Sequence, residues 1–385
     1  MSICKPTRGE TKERNNERGS VTKHQTDEKN INDIISFISS KKSPNKLGEG
    51  SFGPVYAGTD NHGRAVAVKL LGEQQRNNAR KHSQDKAATN KMFLTEVSVL
   101  SRLSHLNIVR LYFYGQSYDG TEQKALVYEL LDTDLAKELQ NNGNHFKASD
   151  RLNVAIDAAR GLTYMHGQQS IEDLPVASLV PVSELTTLTE VSHSSNQSND
   201  SAALPPIAVT SRIDGMAEHP CWHRDIKSAN IGIQKKGNVF GDAKLLDCGL
   251  AKSRIDVTRT MITVTGGGQL GTPGFIAPEV MNSGKYGTRS EIFSFGVVLL
   301  EILTTRKASF DCGLVSFVKD AVEDEKEWID FSCGWPSSNE PGMIKLRSLA
   351  LSCVERRQNK RPATMRDVMM QLIQIRSSLE LSLLF

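Results

Sequence analysis

The first thirty positions hold Lys, Arg, Glu, Asn and Thr with almost nothing to bury, so the pattern predicts a disordered polar arm, residues 1–43. Within it, Ile34, Ile35, Phe37 and Ile38 suggest a short lead-in element. Strand-like runs then flank a glycine cluster between Lys46 and Tyr56, and an alternating run, Val66-Ala67-Val68-Lys69, follows a turn at Asn61–Gly63. Residues Gly72 to Asn90 read as a polar, cationic loop. Phe93, Val97, Leu100 and Leu103 then fall at helical spacing, predicting a helix from Lys91 to Leu103. Two further strands are expected at Ile108–Gly115 and Lys124–Tyr128.

The second half reads as mainly helical. Leu152, Ala155, Ile156, Ala159 and Leu162 share one face of a helix capped by Ser149 and ending near His166-Gly167. Residues 168–218 are rich in Ser, Thr, Asn and Pro, so they read as a disordered insertion, regulatory or absent from the mature protein. A hairpin through Lys235-Lys236-Gly237 comes next. Ser290 to Thr304 is apolar nearly all round and predicts a buried central helix. Amphipathic helices follow at Leu346–Glu355 and Met365–Ile375, with Arg361 between them placed to pair with Glu279, and residues 377–385 read as a short tail.

Composition adds limits. The chain has 385 residues, 38% hydrophobic and 24% charged, which suits a globular protein with a sizeable core. A net charge of +3, from 47 cations interleaved with 44 anions, argues against a nucleic-acid or membrane surface. Phe295 to Leu303, the longest apolar stretch, is about half the ~20 residues a bilayer requires and is broken by Glu301. The first thirty residues show no secretory apolar region. Six scattered cysteines without a C-x-x-C pair read as reduced thiols, which points to a cytoplasmic setting. His219, Cys221 and His223 alternate, but coincidence explains them better than a zinc site.

The candidate chemistry centres on His223-Arg224-Asp225-Ile226-Lys227-Ser228-Ala229-Asn230. It sets a carboxylate, an ammonium and a carboxamide two and three residues apart. Phosphoryl transfer from a nucleotide uses these three functions together. A carboxylate orients the attacking hydroxyl, a cation neutralises the moving phosphoryl oxygens, and an amide oxygen holds a metal ion. Upstream, Gly48-Glu49-Gly50-Ser51-Phe52-Gly53 has the spacing of a hairpin that lies close over phosphates. A dinucleotide fingerprint has the same glycine spacing but opens a helix, whereas here a strand ending in Lys69 follows. Asp247 ends a buried strand, where its charge needs a partner, and Mg²⁺ on phosphates supplies one.

In order, G-x-G-x-x-G-x-V, V-A-V-K, Glu96, H-R-D-I-K-S-A-N, D-x-G and A-P-E (Ala277-Pro278-Glu279) resemble the eukaryotic protein kinases over residues 44–376. Lys227, and Thr272 in Gly271-Thr272-Pro273, resemble the serine/threonine type. The hinge and central-helix wording resembles the Pelle, interleukin-receptor-associated and plant receptor-like group. The resemblance implies an α+β, two-lobed fold: a small mainly β lobe and hinge over 44–131, and a mainly α lobe over 132–376. It implies ATP against Leu47, Gly48, Glu49, Gly50, Ser51, Phe52, Gly53, Val55, Ala67, Lys69, Tyr128, Glu129 and Leu131. Mg²⁺ would sit on Asn230 and Asp247, Asp225 would act as base with Lys227, and Lys69 would pair with Glu96. It also implies a switch in which Thr258, Thr260, Thr263, Thr265 or Thr272 is phosphorylated and Arg224 receives the phosphate. The partners implied are protein substrates bearing Ser or Thr, and an upstream receptor or adaptor.

Three positions depart from the family pattern. Cys248 replaces a phenylalanine expected to pack beneath the Glu96 helix, and its smaller side chain should loosen that arrangement. Gly232 replaces a leucine that floors the adenine pocket, so Gly232→Leu is expected to tighten ATP binding. Glu291 replaces an aspartate bracing the catalytic loop and should displace the brace. The alternative function is a kinase-shaped scaffold acting by protein contact alone.

Overall fold

The computed structural model describes residues 26–38, 45–50, 53–72, 79–117, 123–141, 145–168, 220–253, 261–263, 271–309 and 313–382. The N-terminal lobe opens with β1 (Asp27–Glu28) and α1 (Ile31–Ser36), then β2 (Lys46–Gly50), β3 (Gly53–Thr59) and β4 (Ala65–Leu71). It closes with α2 (Ala79–Leu100), β5 (Leu111–Gln116) and β6 (Lys124–Glu129). The strands form one sheet in the order β1-β5-β6-β4-β3-β2, antiparallel except for β1 on β5.

Strand alternation sorts β4 between two cores. Val66 and Val68 bury against Phe113, Ala125, Val127, Ile31, Ile34 and Phe37 on the outer face. Ala67, Lys69 and Leu71 therefore turn inward, towards α2 and the cleft. One residue of slip would have put Lys69 outside.

Three expectations change here. Residues 26–38, expected within the disordered arm, instead form a strap across the sheet: Lys29 N–H donates to Tyr114 O at 2.9 Å and Thr59 N–H to Phe37 O at 2.8 Å. Gly115 admits it, since a Cβ there would stand 2.5 Å from Lys29 O and 2.8 Å from Ile34 Cδ1. Five apolar residues (Ile31, Ile34, Ile35, Phe37 and Ile38) among polar ones sufficed, because the sheet offers them a ready apolar face. Next, α2 begins at Ala79, inside the expected loop, because 79–90 contain no Gly or Pro and polarity alone does not break a helix. Finally, the C-terminal tail is helical as far as Ser382, where burial of Leu379 extends the last helix. Residues 1–25 and almost all of the 168–218 insertion lie outside the described residues.

The C-terminal lobe carries β7 (Thr133–Asp134), α3 (Leu135–Gln140), α4 (Ala148–Met165), β8 (Cys221–Trp222), β9 (Ile231–Lys236), β10 (Val239–Leu245), β11 (Lys252–Ser253) and β12 (Met261–Thr263). Then come α5 (Pro278–Ser283), β13 (Lys285–Gly287), α6 (Thr288–Thr304), α7 (Leu314–Glu323), α8 (Pro341–Cys353) and α9 (Met365–Ser382). The cap of α4 is Lys147, not Ser149: the Lys147 N–H donates to the Asp150 carboxylate at 3.2 Å, a bond Ser149, already inside the helix, does not make. Short strand pairs, β10-β9-β7, β11-β8 and β12-β13, lie among these helices.

As the pattern predicted, α6 is buried from Ser290 to Thr304 and forms the axis of the lobe. Arg361 locks its N-terminal end, donating to both Glu279 oxygens at 2.8 and 2.9 Å and to Arg289 O, with its guanidinium 4.8 Å from the Phe293 ring. Among the described residues no helix is long and apolar enough to cross a membrane.

The strap should carry real packing energy. Ile34 is fully buried, so Ile34→Ala is expected to lower unfolding stability by about 2–5 kcal/mol in urea denaturation. A change below about 0.5 kcal/mol, the scale of a surface substitution, would show the strap to be loosely attached.

Candidate active site

The catalytic-loop run forms a turn between β8 and β9. His223 is fully buried and its Nε2 lies 2.8 Å from Leu246 O, tying the turn to the segment before Asp247. Asp225 is the hub. Its Oδ1 accepts the Thr272 hydroxyl at 2.6 Å; its Oδ2 accepts Asn230 Nδ2 at 3.0 Å and meets Lys227 Nζ at 2.8 Å. Lys227 also donates to Thr272 Oγ1 at 2.9 Å. The second Asn230 Nδ2–H goes to Asp225 O at 2.8 Å. With both amide hydrogens committed, the Asn230 amide oxygen is left as a lone-pair donor.

Opposite stands a three-charge cluster. Lys69 Nζ lies 3.0 Å from Glu96 Oε2 and 2.9 Å from Asp247 Oδ1. Helical spacing puts Glu96 on the same buried face of α2 as Met92 and Val99. Burial alone would lower the Lys69 pKa, but the charges of Asp247 and Glu96 override it and hold the ammonium firmly protonated. Burial likewise pushes Asp247 upward, and Lys69 reverses that, keeping its carboxyl below the usual range. Asp247 adopts left-handed backbone, φ 59° and ψ 66°, at the start of the turn Cys248–Leu250.

These residues fit a nucleotide with magnesium. Asp247 and the Asn230 amide oxygen are two hard oxygen donors, the small protein contribution typical of Mg²⁺ held largely by phosphates and water. No cluster of three or more His, Cys, Asp or Glu among the described residues offers an all-protein metal cage. Above the cleft, Val55 pairs with Lys69 and Ala67 with Tyr128. Tyr128 is buried, and burial together with the charge of Glu96 raises its phenol well above the usual value. Leu47, Gly48 and Glu49 lie on β2, whose last residue, Gly50, pairs with Gly53. The Glu129 carboxylate turns away from the cleft, accepting Arg110 N–H at 2.8 Å and meeting Lys244 at 3.2 Å, which leaves its backbone for a base.

The three departures are absorbed. Glu291 still braces the catalytic loop: its Oε1 accepts Arg224 N–H at 2.7 Å and the Tyr286 hydroxyl at 2.9 Å, while its Oε2 lies 2.5 Å from His166 Nε2. The extra methylene is taken up by a buried pair with His166 instead of displacing the loop. Burial alone would raise the Glu291 carboxyl, but His166 holds it below the usual range. Cys248 is fully buried, and α2 lies close enough to this turn for Lys69 to reach Glu96. A Cβ at the adjoining Gly249 would lie 3.3 Å from Met92 Cε and 3.4 Å from Glu96 Oε2. Nor does Gly232 leave a hole. A Cβ there would overlap Leu131 Cδ1 and stand 3.0 Å from Leu246 Cδ1, so the expected vacancy is filled from both sides.

Of the remaining candidates, Ser51, Phe52, Thr258, Thr260 and Thr265 lie outside the described residues. The backbone of Thr263 pairs with Lys285 at the edge of β12-β13. Arg224 has φ 71°; its Nη1 reaches Leu250 O at 3.4 Å and its guanidinium lies 5.7 Å from the Tyr286 ring.

His166 and Tyr286 belong to this site without any sequence pattern marking them. Glu301 had a signal: a carboxylate inside an apolar helix. It is buried beside catalytic-loop Ser228 and accepts Ala308 N–H at 2.8 Å. Burial pushes its carboxyl up to about 7, despite Ser228 and Ala308. A carboxyl raised above its unfolded value makes folding most favourable below the unfolded pKa, and that contribution is lost as pH rises through the folded one. Glu301→Gln, which keeps the acceptor and never ionises, should therefore gain stability over the parent between pH 5 and 8, by roughly 1–3 kcal/mol. Parallel stability–pH curves for the two proteins would refute the ionisation.

Comparison with known families agrees with this geometry. The family described as Protein kinase domain matches residues 183–374, and that described as Protein tyrosine and serine/threonine kinase matches 42–174. Among Arabidopsis thaliana relatives, the Probable serine/threonine-protein kinase PBL28 is 30% identical over 346 residues, 87% of this chain and 75% of that protein. PBL21, with the same description, is 32% identical over 74% of this chain, and Receptor protein-tyrosine kinase CEPR1 is 29% identical over 89%. The chain spans 59% of PBL21 and 30% of CEPR1, so it shares only part of their length. The motif order, the two-lobed α+β architecture and these matches agree: the chain belongs to the protein kinase family, in its serine/threonine group related to plant receptor-like kinases.

Proposed function

We propose that the protein transfers the γ-phosphate of ATP to serine or threonine hydroxyls of other proteins. One observation supports the reading: Lys69 pairs with Asp247, Asn230 pairs with Asp225, and Leu246 N–H, next to Asp247, donates to Asn230 O at 2.9 Å, which joins the two pairs. Asp225 orients the incoming hydroxyl and accepts its proton; its 2.6 Å bond from the Thr272 hydroxyl supports that role, since the same oxygen already receives an alcohol O–H. Lys227, bonded to both Asp225 and Thr272, brings positive charge to the site of transfer. Lys69, fixed by Glu96, holds the non-transferred phosphates, and the Glu129–Leu131 backbone meets the base. Asn230 and Asp247 would hold magnesium, which when bound would neutralise charge on the phosphate oxygens.

The setting we infer is intracellular signalling, with the chain switched on by phosphorylation among Thr258, Thr260, Thr263, Thr265 and Thr272. A scaffold acting by contact alone has no need of both the Lys69–Glu96 pair and the Asp225–Asn230 pair.

Transfer of labelled phosphate from ATP to the protein itself or to a generic basic protein tests this. Asp225→Asn should lower the rate by about 10²–10⁴-fold while nucleotide affinity stays within about threefold. Equal labelling by parent and variant would overturn the proposal.

A further inference from the structure

Strand β9 runs beneath the cleft, between the hinge at Glu129–Leu131 and metal-site Asp247. Its Gly232 pairs with Asp134 of β7 and Lys244 of β10, so the backbone there is fixed from both sides. A side chain at 232 would rise into the cleft, but two others already hold that space. Leu131 comes from the hinge side and Leu246 from the metal side; an ideal Cβ at 232 would overlap Leu131 Cδ1 and lie 3.0 and 3.3 Å from the Leu246 methyls. Both leucines are half-buried, whereas Ile231 and Ile233, next to Gly232, are almost fully buried. The upper wall has the same character: Val55 and Ala67 are half-buried apolar residues on β3 and β4. Four apolar side chains on the segments that border the cleft thus stay partly exposed, two above and two below. That is the lining a flat, uncharged heteroaromatic ring needs, since its two faces are its largest apolar surface.

We infer that Leu131 and Leu246 together form the floor under the nucleotide base, and that glycine at 232 is what lets them meet. This deepens the proposed ATP-dependent function and rests on it. The sequence alone implied the reverse, a missing floor that leucine at 232 would restore. With the space filled, a leucine introduced at that position would have to push Leu131 aside and crowd Leu246, and overpacking a filled site is unfavourable.

The test is binding of MgATP, without turnover, by titration calorimetry on the full chain, with thermal unfolding in the absence of nucleotide to show that each variant is folded. Leu131→Ala and Leu246→Ala should each weaken binding about tenfold, the scale of losing one buried leucine contact. Gly232→Leu should weaken it severalfold in the parent. Combined with Leu131→Ala, the same substitution should restore affinity to within about threefold of the parent, because one leucine then replaces the other. The inference is overturned if Gly232→Leu alone tightens binding, if both alanine variants bind as the parent does, or if the folded double variant binds no better than Leu131→Ala. A parent that binds no MgATP would overturn the proposed function as well, which separates the two failures.

Discussion

Everything in the cleft depends on one buried ammonium. Lys69 carries its charge into a nearly water-free position, and such a charge is tolerated only when paired. Its partners come from segments 27 and 178 residues further along the chain, Glu96 on α2 and Asp247 after β10. Meeting them fixes the position of α2 against the sheet and draws the Asp247 turn up to the N-terminal lobe. Withdrawing either carboxylate weakens the compensation for a desolvated charge. The arrangement is therefore cooperative: the position of α2 and the geometry of the Lys69–Glu96–Asp247 cluster are set together.

The second lobe solves a related problem with acids. Helix α6 is mostly apolar and buries two carboxylates, Glu291 and Glu301. Each reaches back to the catalytic loop, Glu291 through Arg224 N–H and Glu301 beside Ser228. They differ in what balances them. Glu291 has His166, a backbone N–H and a phenol, and its carboxyl is held down; Glu301 has a hydroxyl and one N–H, and its carboxyl rises to about 7. The helix that anchors the hydrophobic core is thus also the rigid mount for the loop that carries Asp225, so catalytic geometry and lobe stability share one element.

The departures from the family pattern show how packing compensates over a few ångströms. Lengthening Asp to Glu at 291 found a histidine at the C-terminal cap of α4 to absorb the extra reach. Shortening the residue at 232 let two leucines from separate segments close over it. His166 and Leu131 lie more than a hundred residues from the positions they pack against, so a position-by-position comparison does not see them.

What the amino-acid order determined by itself was considerable. Short-range regularities exposed the antiparallel strands, the apolar stripe on α2 beside which Glu96 lies, and the buried α6, because periodicity is a local property; the order of the motifs pointed to the Arg361–Glu279 pair. The catalytic loop and Asp247 were equally visible, since their chemistry is written in adjacent residues. Tertiary structure alone decided the rest. It folded 26–38 onto the sheet, where five apolar residues met a waiting surface, and it extended α2 through a polar stretch that composition assigned to a loop. It also brought His166 and Tyr286 to Glu291, and Leu131 and Leu246 over Gly232. Each of these depends on which side chains become neighbours after the chain doubles back. A linear pattern records what a residue is; whether its space is empty or filled is settled only by residues a hundred positions away.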